Sequence, residues 1–311
     1  VKVHHSIADY KNKSQSVITI GTFDGVHIGH REILKKLTQE AKNNKLESII
    51  LTFFPHPRMV LQKESDIKLI NTIDERVSIF SKTELDHLII HPFTKEFSSL
   101  SAEAFVKNIL VDSLNVKKII IGYDHRFGKN RTANIDDLKK FGKIHHFEVE
   151  EISAQELNEV AVSSTKIRKA LDSGDLEKAN NYLNYPFMLN GTIVKGKGIG
   201  KTINFPTANL HIEETYKLIP KNGVYIVKSI IDNQKVFGIM SIGTNPTVGG
   251  KSRTIETYFL DIEKDLYGKK IEIEMLSKIR EEDTFDSLES LQYAIKNDEA
   301  FARKYIADYV K

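Results

Sequence analysis

Residues 21–30 read GTFDGVHIGH, which places His27 and His30 three residues apart. On the first turn of a helix those two side chains share a face. Imidazole donors beside a helix N-terminus, whose amides lack intrahelical partners, can stabilise charge growing on a phosphoryl group. A second segment, Ser163-Ser164-Thr165-Lys166-Ile167-Arg168, also has the composition of a helix start. Ser and Thr cap helices, free amides there bind phosphate, and Arg suits bidentate phosphate contact. Taken alone, this segment reads more readily as simple capping.

A third segment, Lys195-Gly196-Lys197-Gly198-Ile199-Gly200-Lys201-Thr202, tests against two phosphate-binding patterns and fails both. A P-loop needs GxxxxGK[ST], and the spacing from Gly196 is one residue short. The dinucleotide fingerprint needs GxGxxG, and the string here is GxGxG. What remains is a flexible cationic loop that covers phosphates, or a long hairpin turn. Pro206-Thr207-Ala208-Asn209 follows closely. Its Thr and Asn offer neutral oxygens of the kind a hard cation shares with ATP phosphates, although alone it reads as a turn. Glu256 lies in an alternating segment and, taken alone, reads as an exposed strand residue.

The elements that must position these residues differ between the two halves. In the first half, strands are expected at 16–21, 48–54, 87–91, 116–122 and 147–152, with helices at 30–43, 72–82, 102–110 and 135–141. This strand–helix rhythm predicts a doubly wound parallel sheet, whose ligands sit at the carboxyl ends of strands. Short helices at 164–173 and 175–183 would close that domain. In the second half, apolar alternation predicts strands at 189–194, 223–231, 235–242, 253–260 and 270–279, then a helix over 288–310. Consecutive strands with short turns point to a small antiparallel barrel. The expected domains are 1–184 and 185–311.

Composition narrows the function classes. The chain has 311 residues with 45 basic and 42 acidic side chains, a net charge of +3. A balance this flat predicts no nucleic-acid partner. Cysteine is absent, which excludes disulfides and thiolate chemistry and fits a cytoplasmic location. No apolar run approaches a membrane span, and the polar start does not resemble a signal peptide, so no membrane partner is expected. Ten of the 11 histidines precede residue 184. His4, His5, His145 and His146 belong to no motif and are expected to be solvated.

GTFDGVHIGH together with SSTKIR resembles the HxGH nucleotidyltransferases. With Phe53-Phe54-Pro55-His56-Pro57, it resembles the adenylyltransferase half of the bacterial bifunctional riboflavin kinase/FAD synthetases. Gly122-Tyr123-Asp124-His125-Arg126-Phe127-Gly128 lies where that family usually has Gly-x-Asn-Phe-x-Phe-Gly, with Asp124 and His125 as departures. GKGIGKTINFPTAN, Gly223-Val224-Tyr225, Gly243-Thr244-Asn245-Pro246-Thr247 and Thr254–Asp261 resemble the riboflavin kinase module, a six-stranded antiparallel barrel. Residues 279–288 resemble its flavin-contacting segment, with Glu281 where Asp is usual.

The resemblance implies two ATP-dependent reactions, riboflavin to FMN and FMN to FAD, with Mg2+ as the cation. It implies that His27 and His30 stabilise the triphosphate, that Gly21, Phe23 and Gly29 shape the ATP site, and that Ser164, Thr165 and Arg168 bind outer phosphates. His56 and Asp124 would lie near the flavin. On the kinase half, Glu256 would be the base, Thr207 and Asn209 would hold the metal, and Gly196, Gly198, Gly200 and Lys201 would cover the phosphates. Arg280 would contact flavin. A single-activity kinase and a non-catalytic flavin or nucleotide sensor are the alternatives, and oligomeric state is not readable from the sequence.

Overall fold

The structure, a computed structural model, describes residues 1–12, 14–62, 66–122, 125–153, 162–196, 200, 203–244, 253–262 and 264–310. It comprises two compact units, Val1–Ser164 and Thr165–Lys311. This division differs from the expected boundary at 184.

The first unit is built on a six-stranded sheet of β1 (Lys2–His4), β2 (Ser16–Ile20), β3 (Glu47–Phe54), β4 (His87–Pro92), β5 (Val116–Gly122) and β6 (Glu148–Ile152). The strand order is β1-β4-β3-β2-β5-β6, and every pair is parallel. The helices are α1 (Ile28–Asn44), α2 (Pro57–Leu61), α3 (Ile73–Ser81), α4 (Lys95–Ser98), α5 (Ala102–Ala104) and α6 (Ile135–His145). α5 runs on into π-helical turns over Phe105–Val111, where a regular helix was expected. All five β2 residues are buried, as a central strand covered on both faces requires. From β2 the chain winds outward to β3 and β4, then returns to β5 on the other side. The strand order therefore reverses beside β2, and that switch point is where such sheets bind ligands.

β1 was not expected, because its polar sequence carries no strand signal. It forms the edge of the sheet beside β4 and corrects the expectation for His4. His4 is half-buried, with Nε2 3.0 Å from His87 Nδ1, and His87 Nε2 lies 3.2 Å from Glu47 Oε2. Tyr10 packs edge-on against both imidazoles. His5 and His146 are exposed and His145 is half-buried.

The second unit opens with α7 (Ser164–Ser173, whose first residue closes the first unit) and α8 (Leu176–Leu183). These helices attach to the barrel through backbone groups. Lys221 N donates to Leu171 O at 3.0 Å, and Asn180 Nδ2 donates to Met275 O at 2.9 Å. The barrel is closed in the order β10-β11-β8-β7-β12-β9. Its strands are β7 (Phe187–Val194), β8 (Ala208–His211), β9 (Gly223–Ile231), β10 (Gln234–Thr244), β11 (Arg253–Phe259) and β12 (Lys270–Arg280). β8 is the sixth strand, formed from the second half of PTAN. In β11, Ile255, Thr257 and Phe259 are buried while Glu256 and Tyr258 are half-buried, so Glu256 sits on the outer face.

α9 (Leu288–Tyr309) covers one side of the barrel. Ala302 packs among Val224, Ile226, Ile239, Leu260 and Leu276. Asp298, 5% exposed, takes a bidentate contact from Arg280 at the end of β12, with Nε–Oδ1 2.9 Å and Nη2–Oδ2 2.8 Å.

Candidate functional site

The GTFDGVH segment leaves β2 at the switch point and enters α1. Its turn is tight: Val26 N donates to Phe23 O at 3.2 Å, with Phe23 at φ 49° and Val26 at φ 38°. Phe23 is buried, and its ring contacts Phe80 of α3 and His30. His27 is the N-cap of α1, yet its side chain makes no capping hydrogen bond. The His27 and His30 rings stack with centroids 3.7 Å apart and planes 17° apart. Nδ1 of each has no hydrogen-bond partner among the described residues. Gly29 is buried in the first turn between them, and Gly21 is half-buried at the end of β2. The stack thus presents two imidazoles at a helix N-terminus, as the spacing predicts.

Three contacts hold this segment. The Asp24 carboxylate accepts from Ile70 N at 2.9 Å and Asn71 N at 3.3 Å, just ahead of α3. Arg76 Nη1 donates to Thr22 O at 2.6 Å. Ser164 Oγ donates to Asp24 O at 2.9 Å, so the first residue of α7 reaches the same turn. Thr165 is exposed and Arg168 half-buried along α7, in the second unit.

Both imidazoles are held neutral. Burial lowers His27 from its ordinary 6.5 to about 4, partly opposed by the Asp24 charge. Burial also drives His30 well below its usual range, and positive charge on His27 and Arg76 acts in the same direction. The unfolded chain binds a proton on His27 near 6.5 and the folded chain only near about 4. Stability present above 6.5 is therefore lost as the pH falls through that interval, by about 3 kcal/mol at full extent. Urea unfolding of the ligand-free protein should show this loss, and His27→Gln should reduce it, leaving the share that His30 contributes. An unchanged pH slope in that variant would contradict the assignment.

On the barrel, the second set of residues also converges. Thr207 Oγ1 donates to Glu256 Oε2 at 3.0 Å. Asn209 on β8 lies directly opposite Glu256 on β11. Gly196 backs onto the Asn209 side chain so closely that a Cβ there would lie 2.6 Å from Asn209 Cγ. A Cβ on Gly200 would overlap the Phe205 carbonyl and stand 3.3 Å from Thr207 Oγ1. Glycine at both positions therefore lets the backbone there approach the PTAN segment. Phe205 packs edge-on against Tyr258, two residues from Glu256, and Gln292 of α9 donates to Ile203 O at 3.2 Å. Among the described residues, no group of three or more His, Asp or Glu side chains is placed to hold a metal ion.

Comparison with known proteins matches a family model to each half of the chain. A family model for FAD synthetase matches residues 9–166, and one for riboflavin kinase matches residues 183–306. The chain is 38% identical to the bifunctional riboflavin kinase/FMN adenylyltransferase of Buchnera aphidicola from Acyrthosiphon pisum, over 98% of each chain. It is 36% identical to the protein of that name from Listeria monocytogenes, over 99% of this chain and 98% of the relative. The chain belongs to the bifunctional riboflavin kinase/FMN adenylyltransferase family. A crystal structure named as a macrolide-efflux protein from Streptococcus pneumoniae is also similar, with TM-score 0.87, 30% identity and coverage of 97% and 98%.

His56 caps α2, its Nδ1 accepting from Arg58 N at 3.2 Å. It follows Phe53 and Phe54 at the end of β3, one strand from the switch point. Asp124, Gly198 and Lys201 lie outside the described residues. Arg280 is engaged by Asp298, with Phe285 5.6 Å from its guanidinium, so it ties β12 to α9 in the segment expected to contact flavin. Asp24 and Arg76 were not among the expected site residues. Asp24 lay inside the quoted motif. Arg76 carried a subtler signal, as a charge on the face of α3 that also buries Ile79 and Phe80.

Proposed function

We infer that this protein phosphorylates riboflavin to FMN on its barrel and adenylylates FMN to FAD on its α/β unit, each time using ATP. The observation that carries this reading is the convergence, on a chain of this family, of Thr207, Asn209 and Glu256 in one unit and His27 and His30 in the other.

In the kinase step, the riboflavin 5′-hydroxyl attacks the ATP γ-phosphorus and ADP leaves. A hydroxyl is a poor nucleophile near neutral pH, and Glu256 takes its proton. Thr207 orients that carboxylate by donating to Oε2. Mg2+ fits the neutral oxygens of Thr207 and Asn209, which suit a hard cation shared with nucleotide phosphates. When bound it would neutralise phosphate charge. At Gly196 and Gly200 the backbone lies close to the same residues, and Gly198 and Lys201 are assigned to the phosphates with them.

In the adenylyl step, an oxygen of the FMN phosphate attacks the ATP α-phosphorus and pyrophosphate leaves. The nucleophile is already an anion, so no protein base is required. Catalysis consists of positioning and charge stabilisation. His27 and His30 enter the complex neutral and donate N–H groups to phosphoryl oxygens. Gly21, Phe23 and Gly29 shape the turn. Ser164 ends at this turn, and Thr165 and Arg168 are assigned to phosphate along the same helix. His56 and Asp124 are assigned to the flavin side.

Fold similarity alone does not transfer the efflux name of the pneumococcal structure. No helix among the described residues is long and apolar enough to cross a membrane. A cytoplasmic location fits the double demand for ATP.

Incubation with riboflavin, ATP and Mg2+, followed by chromatography of the flavins, should yield both FMN and FAD. FMN alone would favour a single-activity kinase, and no product would favour a sensor.

A further inference from the structure

We propose that Arg76 is a positioning residue for adenylyl transfer: its buried guanidinium holds the Thr22 carbonyl and so fixes the turn that presents His27 and His30. The inference rests on the assignment of adenylyl transfer to that histidine pair.

Arg76 is 3% exposed and projects from α3 into the base of the turn. Its Nη1 lies 2.6 Å from Thr22 O and 3.4 Å from Thr52 Oγ1. Thr52 Oγ1 donates to the same Thr22 carbonyl at 3.2 Å. One backbone carbonyl is thus gripped from α3 and from β3 at the exit of β2. Two residues on, the Asp24 carboxylate is gripped by Ile70 N and Asn71 N. Phe23, between these anchors, is in the left-handed region, and so is the β-branched Val26 just after them. Such residues persist only where their surroundings over-determine them. Arg76 and Asp24 supply that constraint from α3 and the residues leading into it, immediately before the histidine pair.

The arrangement has a second consequence. A buried cation is costly to retain for stability alone. The Arg76 charge acts on His30 and helps to keep that imidazole neutral until a polyanion enters. The same side chain therefore holds the turn in place and adds to the burial that keeps His30 neutral.

The test uses the full-length protein with FMN and ATP supplied, and Arg76→Gln, Arg76→Lys, Thr52→Val and His30→Ala compared with wild type. Misplacing a reacting group by about an ångström costs on the order of 100-fold in rate. Arg76→Gln should lose about that much in kcat for FAD formation, with KM for ATP and FMN nearly unchanged. Arg76→Lys, which keeps a charged donor, should recover most of the loss, and Thr52→Val should show a smaller loss of the same kind. FMN formation from riboflavin should stay at the wild-type rate in all four.

Wild-type kcat in both Arg76→Lys and Arg76→Gln would overturn the proposal. So would an Arg76→Lys that falls as far as a folded Arg76→Gln. If Arg76→Gln does not fold, wild-type kcat in both Arg76→Lys and Thr52→Val overturns it. Should His30→Ala retain FAD formation, the assignment of the reaction to the pair fails instead.

Discussion

His30→Ala should abolish most FAD formation from supplied FMN while leaving riboflavin phosphorylation intact. The His30 ring stacks on His27 at 3.7 Å and contacts Phe23 at 5.0 Å, in the first turn of α1. Alanine is a good helix former, so the turn should survive the substitution. What disappears is one preorganised donor at a site where negative charge develops during displacement at the α-phosphorus. Loss of such a donor costs on the order of 100- to 1,000-fold in kcat. The kinase residues lie in the other compact unit. Steady-state rates of both reactions on the same preparation provide the check, and loss of both activities from a folded protein would refute the division of labour.

The motif half of this site was legible because it is local. GTFDGVHIGH carries its own turn and helix start, and the strand before it is an apolar run. The supports were less legible because they are remote in sequence. Arg76 lies 54 residues from Thr22, and only the topology brings α3 beneath the turn. β1 was invisible for a related reason: three residues, Lys2-Val3-His4, become a strand by pairing with β4, and His4 is half-buried beside His87, 83 residues away. The π-helical turns at Phe105–Val111 keep a helical apolar pattern, so periodicity could not distinguish them from a regular helix.

The barrel shows the same contrast. Alternation located five strands, but β8 has only four residues, two of them from PTAN, and reads locally as a turn. Its strand character comes from pairing with β7 and β11. Arg280 illustrates a different limit. Sequence placed it in a flavin-contacting segment, and the nearby partner that engages it, Asp298, is buried on α9. The helices α7 and α8 followed the same rule: they were expected to close the first domain, but remote hydrogen bonds tie them to the barrel.

Glu256→Gln should remove most FMN formation while FAD continues to form from supplied FMN. The substitution keeps the volume of the side chain and leaves an oxygen to accept from Thr207 Oγ1, now 3.0 Å from Oε2. Position 256 would still face Asn209 across the β8–β11 pair, so the barrel register should hold. Only the ability to accept a proton is lost. General-base catalysis contributes roughly 100- to 10,000-fold, and the fall in kcat should lie in that range. Thr207→Val supplies the complementary measurement. It preserves the carboxylate but removes both its hydroxyl donor and a neutral oxygen assigned to the cation, so it should weaken the response to Mg2+ as well as the rate. Wild-type FMN formation by a folded Glu256→Gln would show that the carboxylate is not the base, since an amide at that position cannot take the hydroxyl proton.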